Sequence, residues 1–287
     1  MLTRLRTYAS FVRISHTVFA LPFALVGALL AARAGAAAAW SWTRFGWILA
    51  CMLTARSAAM GFNRLADAAH DAKNPRTAMR ELPAGRMARG EAVAFIAVAT
   101  ALFLVSAWMV SPLCFALAPV ALAIVFWYSL AKRFTDYAQL FLGLAMAVAP
   151  VGGWIAMGGP LSLVPFLLGV AIGTWVGGFD VLYACQDYDV DRREGMRSIP
   201  VRFGIPGALR ISRVMHVVTI ASLVAVGVVA GLNGIYLGGV IGVSALLVYE
   251  QSLVRADDLS QVKRAFDLNG WVGMLYLATT AFAVVIK

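Results

Sequence analysis

Nine runs of about twenty apolar residues dominate this chain: residues 14–33, 45–66, 91–110, 112–130, 136–157, 161–185, 209–230, 234–254 and 268–286. Roughly 20 such residues carry a helix across a bilayer, where every backbone polar group must be satisfied within the segment. Of the 287 residues, 61% are hydrophobic and 13% charged, with a mean hydropathy of +0.81. Soluble domains average about 45–50% and about 25%, so soluble and disordered chains are both excluded. The expectation is an all-α, polytopic membrane protein: nine transmembrane helices around a central cavity, forming one membrane-embedded domain over 1–287.

The net charge of +10 would suit nucleic acid, but the distribution of the charges has a simpler cause. With the N-terminus inside, every Lys and Arg except Arg33, Arg44 and Lys287 falls at or near the inner side. That positive-inside pattern predicts N-in, C-out helices and no nucleic-acid partner. Arg4, Arg6 and Arg13 ahead of an apolar stretch imitate a signal peptide. The stretch starts late and contains Pro22, so it reads as a retained span. Cys51, Cys114 and Cys185 are widely spaced in apolar runs and read as packing thiols. His16, His70 and His216 are isolated from one another and from cysteine, which gives no case for zinc.

Topology does not explain the acids. All fourteen fall on the inner half, and many cluster after the second and the sixth span. Those positions are four helices apart, consistent with a four-plus-four repeat and a ninth helix. In the first cluster Asn63, Asp67 and Asp71 are spaced four apart and line one helical stripe, which Asn74-Pro75 ends. In the second, a regular helix puts Asp180, Asp187 and Asp191 on one face and Asp189 nearly opposite, in solvent. Carboxylates at the C-terminal ends of helices oppose the macrodipole and repel one another. Asp180 also lies within membrane depth, where an ionisable group signals function. A divalent cation removes these penalties, and Mg²⁺, commonly held by one or two carboxylates plus substrate phosphates, suits the pattern.

Basic residues surround both clusters: Arg76, Arg80, Arg86 and Arg89 beside the first, Arg192, Arg193, Arg197 and Arg202 beside the second. Most suit lipid headgroups, and a few, Arg76 among them, have the geometry to clamp phosphate. Lys132, in Tyr128-Ser129-Leu130-Ala131-Lys132, suits an interfacial anchor and a phosphate ligand equally. Arg56 sits inside the second span, seven residues before Asn63, and needs an anionic partner. Asp180 is the structural candidate and a substrate carboxylate the functional one. His70, three positions after Asp67, has the spacing of a supporting residue.

Over roughly residues 8–210 these motifs resemble the UbiA superfamily of intramembrane prenyltransferases. The first cluster is similar to that family's N-x-x-x-D-x-x-x-D, Asp187 with Asp191 to its second D-x-x-x-D, and Tyr128 to Lys132 to its Y-x-x-x-K. Arg13 to Thr17, Asn74 to Thr77 and Gly195 to Ser198 also resemble family segments. The resemblance implies a nine-helix bundle with a cavity open to the inner side, and Mg²⁺-dependent transfer of a prenyl chain from a polyprenyl diphosphate to a small aromatic acid. It implies Asn63, Asp67, Asp71, Asp187 and Asp191 as metal ligands, with Lys132 beside the diphosphate. Arg56, Arg76, Tyr128, Asp180 and Tyr183 are the candidate substrate-binding residues. Many members carry Asp after the motif's Asn; here it is Arg64. Asn-Arg followed by Asn-Pro-Arg-Thr resembles the futalosine-route branch, which makes 1,4-dihydroxy-6-naphthoate an alternative to 4-hydroxybenzoate. The expected setting is a bacterial-type inner membrane with the site facing the cytoplasm. The rival from another class, a secondary transporter, would place polar groups on a path reaching both sides; the outer halves of these spans carry almost none.

Overall fold

The structure is a computed structural model and describes residues 2–12, 21–35 and 41–286. Among these residues every named element is helical: α1 Leu2–Phe11, α2 Leu21–Arg33, α3 Trp42–Asp71, α4 Arg89–Val110, α5 Pro112–Trp127, α6 Ala138–Ala156, α7 Val164–Ala184, α8 Tyr188–Arg193, α9 Ile199–Val229, α10 Gly234–Leu253 and α11 Val262–Val285. Eight helical runs are long and apolar enough to cross a membrane, while α2 spans 13 residues. The first expected span therefore overlaps α2, and its residues 14–20 lie outside the described residues, as do His16 and the Arg13 to Thr17 segment.

The chain divides into two compact units, Met1–Thr17 with Trp42–Ala131, and Val18–Ser41 with Lys132–Lys287. In the first, α3 buries a stripe of Ala58, Gly61, Arg64, Ala68 and Asp71, the three-and-four spacing of a helix face. Gly61 leaves room for Ile96 and Phe11. Tyr8 stacks on Phe95 at 5.7 Å and Phe11 meets the same ring edge-on at 5.8 Å, docking α1 on α4. Ser111 turns the chain from α4 into α5 by accepting the Cys114 amide, with Pro112 in the first turn.

In the second unit, helices approach backbone to backbone. A Cβ on Gly27 would overlap the Pro150 carbonyl, and one on Gly143 the Gly173 carbonyl. Lipid tails are as apolar as leucine, so such close approach, rather than hydrophobic expulsion, holds membrane helices together. Polar side chains add cross-braces inside the unit. Trp175 Nε1 donates to Asn269 Oδ1 at 2.7 Å, Asn269 Nδ2 donates to Glu250 at 3.2 Å, and the Tyr236 and Tyr276 hydroxyls meet at 3.0 Å. α9 starts ten residues before the expected span and bends at Gly204, whose φ of 70° lies where only glycine is unstrained, just before Pro206. We expect Gly143→Leu to separate α6 from α7 and lower stability by at least about 3 kcal/mol, read as a lower midpoint of unfolding in detergent.

Candidate active site

The first acidic motif occupies the last turns of α3. Asn63 Nδ2 donates to Asp67 Oδ2 at 3.2 Å, as the i,i+4 spacing allows. Asp71, one turn further on, is buried at 7% exposed. Both its carboxylate oxygens accept from Arg80 Nη1 at 2.8 Å. The loop after the helix is folded back to make this possible. Asn74 Oδ1 accepts the Arg76 amide at 2.9 Å, and Thr77 Oγ1 caps the Asp71 carbonyl at 3.0 Å. Arg76 is exposed. Arg80 Nε and His70 Nδ1 are buried and meet no hydrogen-bond partner among the described residues. Glu81, unremarked in the sequence, is buried and accepts from Ser10 Oγ at 2.5 Å.

Higher on α3, Arg56 Nε is buried without a hydrogen-bond acceptor among the described residues. Arg64 lies with Asp71 on the buried stripe of α3, away from the face of Asn63.

The second motif belongs to the other unit. α7 tightens into a 3₁₀ turn at Cys185–Asp187 before continuing as α8. Three residues at 120° instead of 100° add roughly 60° of rotation. From Asp180 this puts Asp187 at about 40° and Asp191 at about 80°, so the face expected for the three is spread wider than a regular helix would make it. Asp180 is half-buried, as is Tyr183, which packs on Phe266 at 4.7 Å. Asp187 and Asp191 are each 7% exposed, and Asp189 is exposed as expected. Lys132 Nζ lies 3.6 Å from Asp191 Oδ2, at the end of the 3₁₀ turn Tyr128–Arg133. Thus each motif carries a cation on its buried carboxylate: Arg80 on Asp71, Lys132 on Asp191.

Residues 20–278 match the UbiA prenyltransferase family. The chain belongs to the UbiA prenyltransferase family. The match begins later than the 8–210 over which the motifs suggested it and runs further, to residue 278. This UbiA member is 35% identical over 221 residues to the 4-hydroxybenzoate octaprenyltransferase of Vibrio parahaemolyticus, covering 77% of each chain. It is 32% identical over 234 residues to that of Aeromonas salmonicida, covering 82% of this chain and 80% of the relative. Its fold superposes on the apo structure of a UbiA homolog from Aeropyrum pernix K1 with a TM-score of 0.85, at 34% identity and covering 93% and 97% of the two chains. A UbiA homolog from Archaeoglobus fulgidus, solved bound to DMAPP and Mg²⁺, shares the fold with a TM-score of 0.71 at 19% identity, covering 98% of this chain and 100% of that one. The transporter reading falls with these matches. The naphthoate alternative is not favoured by relatives named for 4-hydroxybenzoate.

Breaking the Asp71–Arg80 pair leaves a buried carboxylate uncompensated. We expect Arg80→Ala to cost about 2 kcal/mol, the lower end for partly solvated pairs, measured by denaturant unfolding in detergent.

Proposed function

We propose that this UbiA family member transfers a polyprenyl group from a polyprenyl diphosphate to an aromatic carbon of 4-hydroxybenzoate, as a step of respiratory quinone synthesis. The observation that carries the reading is the pair of buried carboxylate motifs, each matched by a cation, in a chain of this family. The donors are hard oxygens, which fit Mg²⁺. Among the described residues no three His, Cys, Asp or Glu side chains converge. A cation held by one motif would thus complete its shell with water and diphosphate oxygens, as Mg²⁺ commonly does. Asn63, Asp67 and Asp71 would hold one ion, and Asp187 and Asp191 a second. Bound Mg²⁺ supplies Lewis-acid neutralisation of the leaving diphosphate.

The chain's own residues do the rest. Lys132 and Arg76 share the negative charge that grows as the allylic C–O bond breaks. Arg56, a guanidinium inside a span with a buried Nε lacking an acceptor, orients the carboxylate of the aromatic acid; Tyr128, Asp180 and Tyr183 line the substrates. The ring carbon forms the new C–C bond, and its proton leaves to restore aromaticity. Apolar surroundings keep water from the allylic cation. The nine-helix count with a four-plus-four repeat, the N-in, C-out orientation, the inner membrane and a site facing the cytoplasm are parts of the same proposal. They are supported by the one-sided charge distribution.

Membranes containing the chain, given Mg²⁺ and a polyprenyl diphosphate, are expected to prenylate 4-hydroxybenzoate in preference to 1,4-dihydroxy-6-naphthoate; the reverse preference overturns the acceptor assignment. Asp67→Ala and Asp191→Ala are each expected to abolish Mg²⁺-dependent transfer, and wild-type turnover in either would sink the metal assignment. Arg56→Ala should raise the KM for the aromatic acid about fiftyfold, the loss of one charge-assisted contact, with the KM for the diphosphate unchanged.

A further inference from the structure

Gln139 is fully buried in the first turn of α6, and the chemistry above gives it nothing to do. Its Oε1 accepts the Ile199 amide at 3.2 Å. Ile199 is the first residue of α9, and the opening amides of a helix have no partner within it. α9 disposes of its first three in different ways. Pro200 has no amide proton, Ser198 Oγ accepts from Val201 at 3.4 Å, and Gln139 takes Ile199 from another helix. Gln139 Nε2 is buried with no acceptor, a cost that leucine of similar shape would avoid. Packing therefore does not explain glutamine at this position; the accepting Oε1 does.

That bond is the buried member of a ladder joining residues 132–139 to residues 197–202. The Arg197 amide donates to the Lys132 carbonyl at 3.1 Å, Arg197 Nη1 to the Phe134 carbonyl at 2.9 Å, and Arg202 Nη1 to Asp136 at 2.7 Å. The Met196 amide closes back onto the Asp191 carbonyl at 2.8 Å. Pinning Ile199 and Arg197 thereby fixes where Asp191 stands, and the segment they are pinned to carries Lys132. The side-chain contacts of Arg197 and Arg202 are exposed and compete with water; the bond of Gln139 does not.

We propose that Gln139 is a positioning residue for the second motif, holding the loop so that Lys132 stays against Asp191. The proposal rests on the reading of Asp191 and Lys132 as the metal-diphosphate end of the site. Its test compares wild type with Gln139→Leu by hydrogen exchange at residues 192–199 and by the Mg²⁺ dependence of transfer. Exchange at the Arg197 and Ile199 amides is expected to quicken. The Mg²⁺ concentration for half-maximal rate should rise about fivefold, the worth of one hydrogen bond, with the KM for the aromatic acid unchanged. Gln139→Glu, which keeps an accepting oxygen, should restore slow exchange and the original Mg²⁺ dependence.

Unchanged exchange at Ile199 overturns the proposal. So does faster exchange with Mg²⁺ dependence unmoved, or with the acceptor KM rising alongside. Should Gln139→Leu fail to fold, Gln139→Met, which keeps the length of the side chain without the accepting oxygen, takes its place. With Gln139→Met, exchange and Mg²⁺ dependence are expected to move in the same directions, and if either stays at its wild-type value the proposal is overturned. A wild-type Mg²⁺ dependence in Asp191→Asn would instead overturn the role of Asp191, whatever Gln139 does.

Discussion

Both acidic motifs place negative charge at the ends of helices built for lipid. Burial and mutual repulsion both disfavour that charge. The fold sets a cation beside a buried carboxylate of each motif: Arg80 engages both oxygens of Asp71 at 2.8 Å, and Lys132 stands 3.6 Å from Asp191. Each cation comes from a connecting segment rather than from the helix that carries the acid. The loops are thus part of the electrostatic design, and their local hydrogen bonds (Asn74 to Arg76, Thr77 to Asp71, Arg197 to Lys132) bear on the site as directly as the acids do.

The helical scaffold meets a different requirement. In lipid there is little hydrophobic drive to bring helices together, so association relies on close backbone approach and internal hydrogen bonds. Both devices occur in the second unit. Gly27 and Gly143 let backbones touch, and the Trp175–Asn269–Glu250 brace ties α7, α10 and α11. Since α7 leads into Asp187 and Asp191, a brace deep in the bundle sets the height and rotation of the helix that delivers them.

Much of this was legible in the sequence. Spans, acid clustering and the Asn63–Asp67 pairing follow from length, hydropathy and four-residue spacing. The turn at Asn74 and the exposure of Asp189 follow from the same local rules. Three things did not read through. A regular helix would align Asp180 with Asp187 and Asp191, but the 3₁₀ turn at Cys185–Asp187 adds rotation that carries Asp191 furthest from Asp180. Arg64 departs from the motif, and its charge gave no sign that it lies on the buried stripe of α3. Gln139, Glu250 and Asn269 lie near the polar ends of their spans, close to Asp136, Gln251 and Asp267, so nothing local set them apart. Their buried partners are a helix away and carry no spacing.

By itself the sequence determined the membrane-spanning helical class, the gathering of the acids and the residue types of both motifs, because hydropathy and helical periodicity act over a few residues. Only the tertiary structure decided which cation serves which acid. Arg80 is nine residues from Asp71 and Lys132 is fifty-nine from Asp191. Long, flexible basic side chains have many possible partners along a chain. The path of the loops, fixed by capping bonds such as Ser198 to Val201 and Gln139 to Ile199, selects among them.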